Sequence, residues 1–155
     1  MKLVNQSPTR WEYQLQQQEL HLLRGLIQSF PFTAVTPVSI SRTDQEPETL
    51  EKEKLLNEAL REHRKELKQL AKRLCGPEKF TSQPTGWRMT LTAEEREILL
   101  QILNDIRVEC WRALGRPEPL EAIQKLSEKN LAFRQLMDLA GYFEQSLIQN
   151  DDLCA

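Results

Sequence analysis

The side chains best suited to chemistry in this chain are Arg107, His63 and the acids Glu94, Glu95 and Glu97. Two histidines, His21 and His63, cannot furnish a histidine-rich metal site, and no His-Glu-x-x-His pairing occurs. Cys75, Cys110 and Cys154 are odd in number and widely spaced, the pattern of reduced thiols rather than of a disulfide framework or zinc site. Glu94, Glu95 and Glu97 fall in a first helical turn, where the helix dipole alone explains acids. Five scattered glycines form neither a phosphate cradle nor a dinucleotide fingerprint, and no nucleophile elbow occurs. No catalytic, cofactor-binding or metal-binding set emerges, and an enzyme is the least favoured class.

Three features invite a binding role instead. Arg107 projects from the apolar arc of its helix among Leu103, Trp111 and Leu114, with Asn104 at the edge. A guanidinium there needs a partner, because an unpaired buried charge is costly. It is either an internal anchor, to Glu66 or a helix terminus, or a recognition residue on an exposed face, with Asn104, Arg107 and Trp111 forming the candidate interaction site. His63 falls on the inner stripe of another helix and reads as a core histidine. Arg61, Arg64, Lys65, Lys68 and Lys72 form a ridge on the outer side of that same helix, suited to an acidic partner or a phosphate backbone. Glu58, Glu62 and Glu66 flank the ridge and weaken its field, so a solvated face is the plainer reading.

The elements that must carry these residues come in two similar sets. Trp11, Leu15, Glu19 and Leu23 recur as Trp87, Leu91, Glu95 and Leu99, always 76 residues on, and Leu26 and Ile27 match Ile102 and Leu103. Trp11, Tyr13 and Leu15 alternate with polar residues, as do Trp87, Met89 and Leu91, predicting two short strands that pair antiparallel with each other. Helical periodicity predicts helices over 17–29, 48–75, 93–114 and 131–149, with a short helix over 119–128. Thr92 and Glu95 form a capping box before the third, while Gln16 is a poorer cap for the first. Gly25 costs about 1 kcal/mol unless a backbone packs closely against it. The fold class expected is α+β and mainly helical: two strand-helix-helix halves, about 9–76 and 85–149, related by a pseudo-twofold, with a two-stranded antiparallel sheet. An irregular loop over 30–48 joins elements of a single domain spanning 1–155.

Composition sets the outer limits. The 155 residues are 39% hydrophobic and 28% charged, as in a globular chain. A net charge of −2 gives no global field to draw in nucleic acid or anionic lipid. No apolar run reaches the length of a signal peptide or membrane span, so the expectation is a cytoplasmic protein with no membrane association.

Leu91-Thr-Ala-Glu-Glu, Leu103-Asn-Asp-Ile-Arg107, Leu114-Gly115 and Tyr142-Phe143-Glu-Gln-Ser-Leu147, with Glu19 to Arg24 ahead of them, resemble an uncharacterised bacterial family. Asn104-Asp105-x-Arg107 is the most specific part of the likeness. The family has no assigned activity, and in actinobacteria its genes tend to lie near the adaptor that delivers substrates to the Clp protease. The resemblance implies a cytosolic accessory role near proteolysis. The resulting expectation is a non-catalytic interaction or regulatory module with a protein partner and no cofactor. Weak nucleic-acid binding through the ridge, or an enzyme of unknown type, is the alternative.

Overall fold

The computed structural model describes residues 1–31, 46–116 and 128–149. Most of the connection expected over 30–48, nearly all of the short helix expected over 119–128, and Cys154 lie outside the described residues. The elements run β1 (Lys2–Ser7), β2 (Arg10–Leu15), α1 (Gln17–Ser29), α2 (Pro47–Leu74), a single 3-10 turn (Pro77–Lys79), β3 (Phe80–Gln83), β4 (Gly86–Thr92), α3 (Ala93–Ala113) and α4 (Glu128–Ile148).

The expectation of a two-stranded sheet is wrong. The sheet has four strands in the order β1-β2-β4-β3, all antiparallel, and each set of helices follows a hairpin rather than a lone strand. Two strands alone present too little apolar face to be stable, and the flanking strands supply the missing backbone partners. Both hairpins turn through Pro-Thr, Pro8-Thr9 and Pro84-Thr85, again 76 residues apart. Proline fixes a negative φ at the first turn position, and neither threonine has a positive φ, so these turns lack the Asn-Gly signature of tight hairpins. Gly86 follows the second turn at φ 133°, and a Cβ there would meet the Leu15 carbonyl oxygen at 2.5 Å.

β2 and β4 form the central pair. Trp11 lies opposite Leu91, Tyr13 opposite Met89 and Leu15 opposite Trp87. Of these pairs only Tyr13–Met89 joins residues 76 apart; in an antiparallel register the flanking pairs fall at 80 and 72. The inward faces of Tyr13, Leu15, Met89 and Leu91 are buried against Leu23 and Leu26 of α1, Leu99, Ile102, Leu103 and Ile106 of α3, and Phe143 and Leu147 of α4. Full burial of each large aliphatic side chain contributes roughly 1.5–3 kcal/mol, and α3 supplies four of them, Leu99, Ile102, Leu103 and Ile106.

Helix starts follow the local signals. Thr92 accepts the Glu95 backbone N–H at 3.1 Å while the Glu95 carboxylate takes the Thr92 N–H at 2.9 Å. Glu19 takes the Gln16 N–H in the same way at 2.8 Å. Pro47 opens α2 at a position where a missing N–H costs nothing. Only Leu67, Ala71 and Leu74 of α2 are buried. His63, expected on its inner stripe, is exposed, as are Leu55, Leu56 and Ala59, Leu55 to 61%. Periodicity marks an apolar side of a helix but not how far along it the neighbouring elements reach.

Candidate functional site

Asn104, Arg107 and Trp111 follow one another at helical spacing and share one stripe of α3. Asn104 and Arg107 are exposed and Trp111 is half-buried. Arg107 is therefore not buried among its apolar neighbours. Its guanidinium reaches across to α4 and donates to Glu144 Oε2 at 2.6 Å, not to Glu66. It passes over Gly141, where a Cβ would meet the Arg107 Nε and Cδ at ordinary contact distances of 3.7 and 3.9 Å.

A groove of about 640 Å³ runs beside this crossing, along α4. Met137, Gly141, Tyr142 and Ile148 line it together with the Arg107–Glu144 pair. Tyr142 is 47% exposed and Ile148 49%, so an aromatic ring, an aliphatic chain and a guanidinium lie together at the surface. The Tyr142 hydroxyl donates to Glu19, which also accepts from the Met1 amine. The Glu19 bond and partial burial raise the Tyr142 pKa. Burial works to raise the Glu19 pKa, but the bonds from the amine, Tyr142 and Gln16 together hold it below the usual carboxylate value. The hydroxyl is thus held while the residue stays about half open to water.

Comparison with protein-family models, with curated proteins and with solved structures finds no match in any of the three. The geometry of the chain itself must carry the functional reading.

The buried charges lie elsewhere. Arg96 is the buried arginine of α3. It donates to the Tyr13 hydroxyl at 3.2 Å and to the Leu147 carbonyl at 2.7 Å, with its guanidinium 4.2 Å from the centre of the Trp11 ring. It thereby satisfies a carbonyl in the last turn of α4, one of the groups that a helix end leaves unpaired. Glu109 is also buried, held by Arg64 of α2 and by Arg112 at 3.3 Å. The polar stripe Asp105–Glu109–Arg112 of α3 faces α2. Burial raises the Asp105 pKa against the opposing charges of Arg64, His63 and Arg112. Cys110 is buried beside Glu109, and desolvation lifts its thiol to about 11, which keeps it an inert core residue.

These placements alter the second candidate site as well. Arg64 leaves the expected ridge to bind Glu109, while Arg61, Lys65, Lys68 and Lys72 remain exposed. His63 stands on the exposed side of α2, not in the core. Among the described residues, no three histidine, cysteine or acidic side chains converge as metal ligands, and no helix is long and apolar enough to cross a membrane.

Sequence reasoning singled out Asn104, Arg107 and Trp111 but missed Glu144, Tyr142 and Ile148. Tyr142 and Ile148 are six residues and about 120° apart on α4, so they share no stripe and periodicity could not mark them as a pair.

Proposed function

We propose that this protein is a non-catalytic interaction module that engages a protein partner through the α3–α4 face around Asn104, Arg107 and Trp111. The observation that carries this reading is the exposure of Tyr142 and Ile148 beside the Arg107–Glu144 pair. Tyrosine and arginine are the residues enriched where binding energy concentrates, and an aliphatic neighbour supplies the apolar area that excludes water. The Arg107–Glu144 pair is half open to water, so its own contribution to stability is small, about 0–1 kcal/mol. A role in holding the fold therefore gives little reason for the arginine. An accessory position in regulated proteolysis is one setting for such a module.

The test is affinity capture from cells that express the chain, using wild type, Arg107→Glu and Ile148→Asp. Both variants should keep the wild-type far-ultraviolet circular dichroism and melting cooperativity. A discrete protein retained by wild type and lost with both folded variants supports the reading. Unchanged retention with either variant contradicts it. The second reading is nucleic-acid binding by Arg61, Lys65, Lys68 and Lys72. It predicts salt-dependent retention of DNA or RNA that charge reversal on α2 removes while Arg107→Glu does not.

A further inference from the structure

Helix α2 divides into halves of opposite charge. Residues 46–58, counting the N-cap Glu46, carry five acids (Glu46, Glu48, Glu51, Glu53, Glu58) and two lysines. Residues 61–73, with Arg64 set aside because it is engaged by Glu109, carry five bases and two acids (Glu62, Glu66). The halves are thus equal and opposite in net charge. The acidic half also exposes Leu50, Leu55 and Leu56 to water. Beside the basic half lies an apolar pocket of about 340 Å³, floored by Ile27, Phe30 and Ala71 and rimmed by Lys68 and Lys72.

We infer that α2 is a self-association surface, and that its occupant is the α2 helix of a second copy running antiparallel. Only the antiparallel direction sets each acidic half against a basic half, and it does so twice in one isologous contact. A parallel pair would oppose like charges throughout.

The register follows from the length of the helix, about 42 Å at 1.5 Å per residue. Full overlap of Pro47–Leu74 with its reversed copy brings Leu50 opposite Ala71 at the pocket, and Glu53 opposite Lys68. Within two residues of that register, Glu51 faces Lys72 and Glu58 faces Lys65 of the second copy. The face is the same on both halves: Leu50 and Lys68 are 18 residues apart, five whole turns at 3.6 residues each. Glu51, Glu58, Lys65 and Lys72 are all exposed and make no ion pair among the described residues, so each is available to a second chain. Arg61 alone meets its own copy near the dyad, with Glu58 one turn away.

Sedimentation velocity of the full chain, at low and high salt, tests this. The wild type should dimerise at low salt and dissociate as salt rises. Glu51→Lys/Glu58→Lys makes the stripe of residues 51, 58, 65 and 72 basic throughout, and Lys65→Glu/Lys72→Glu makes that stripe acidic throughout. Each variant alone should be monomeric, and an equimolar mixture should form a heterodimer, which also shows that both are folded. A wild-type monomer at all concentrations overturns the inference. So does a dimer indifferent to the reversals, or reversed chains that fail to pair when mixed. Retention of nucleic acid by a monomeric wild type, lost on Lys65→Glu/Lys72→Glu, assigns the stripe to phosphate instead.

Discussion

Arg96 and Arg107 lie three turns apart on nearly the same azimuth of α3, yet the Arg96 side chain is 8% exposed and that of Arg107 46%. What differs is the covering. Trp11, Tyr13 and the end of α4 close over Arg96, whereas Arg107 reaches out to Glu144 on the open side of α4. One arginine therefore ties β2 to the end of α4 inside the fold, and the other bridges α3 and α4 at the surface.

Arg96→Ala should destabilise the protein by about 2–4 kcal/mol, because it strands the Leu147 carbonyl and the Tyr13 hydroxyl and removes the contact with the Trp11 ring. Arg107→Ala should cost about 1 kcal/mol or less, as for an exposed pair. Urea unfolding of both variants measures the difference. Equal losses would contradict the division of roles.

Two glycines should respond in opposite directions. Gly25 lies inside α1 with no atom within 4 Å of a built Cβ, so Gly25→Ala should stabilise by about 0.5–1 kcal/mol. Gly86 combines positive φ with the Leu15 carbonyl at 2.5 Å, so Gly86→Ala should destabilise by more than about 1 kcal/mol. Thermal melts of the two variants should shift up and down respectively.

Asp105 sets a pH dependence. Its pKa is higher folded than unfolded, so its contribution is fully present below the unfolded value and is lost as pH rises through the folded one. Asp105→Asn should therefore be more stable than wild type at neutral pH. The gap should close as pH falls through the range where Asp105 protonates. Denaturant midpoints across pH 3 to pH 7 check this, and a gap that widens on acidification would refute it.

Thr92→Ala should cost about 0.5–2 kcal/mol by releasing the Glu95 backbone N–H. Burial alone would raise the Glu95 pKa, but Lys79 and the Thr92 N–H hold it below the ordinary value. Its share of stability is present above the unfolded pKa and lost as pH falls through the folded one. Amide exchange in the first turn of α3, faster in the variant and in wild type at low pH, reports both effects.

Local signals made much of this fold legible. The period of α1, the capping box at Thr92 and the alternation of Trp11, Tyr13 and Leu15 each describe a few adjacent residues and need no knowledge of neighbours. What was hidden depended on neighbours. β3 has four residues and β1 is irregular between Leu3 and Asn5, so both take their strand identity from β4 and β2. The paired Pro-Thr turns were visible but carry no standard hairpin signature. Burial failed for the same reason: the azimuth of Arg107 was right for the core, and the polar stripe of Glu109 right for solvent. What lies above each residue is decided by helices distant in sequence.

Photo-crosslinking in cells tests the central claim most directly, with a reactive side chain placed at Ile148 and, as a control, at exposed Thr81 on the far edge strand. The interaction reading predicts a discrete adduct between the chain and another protein from position 148, absent from 81 and abolished by Arg107→Glu. Adducts from both positions alike, or none from 148, would contradict it.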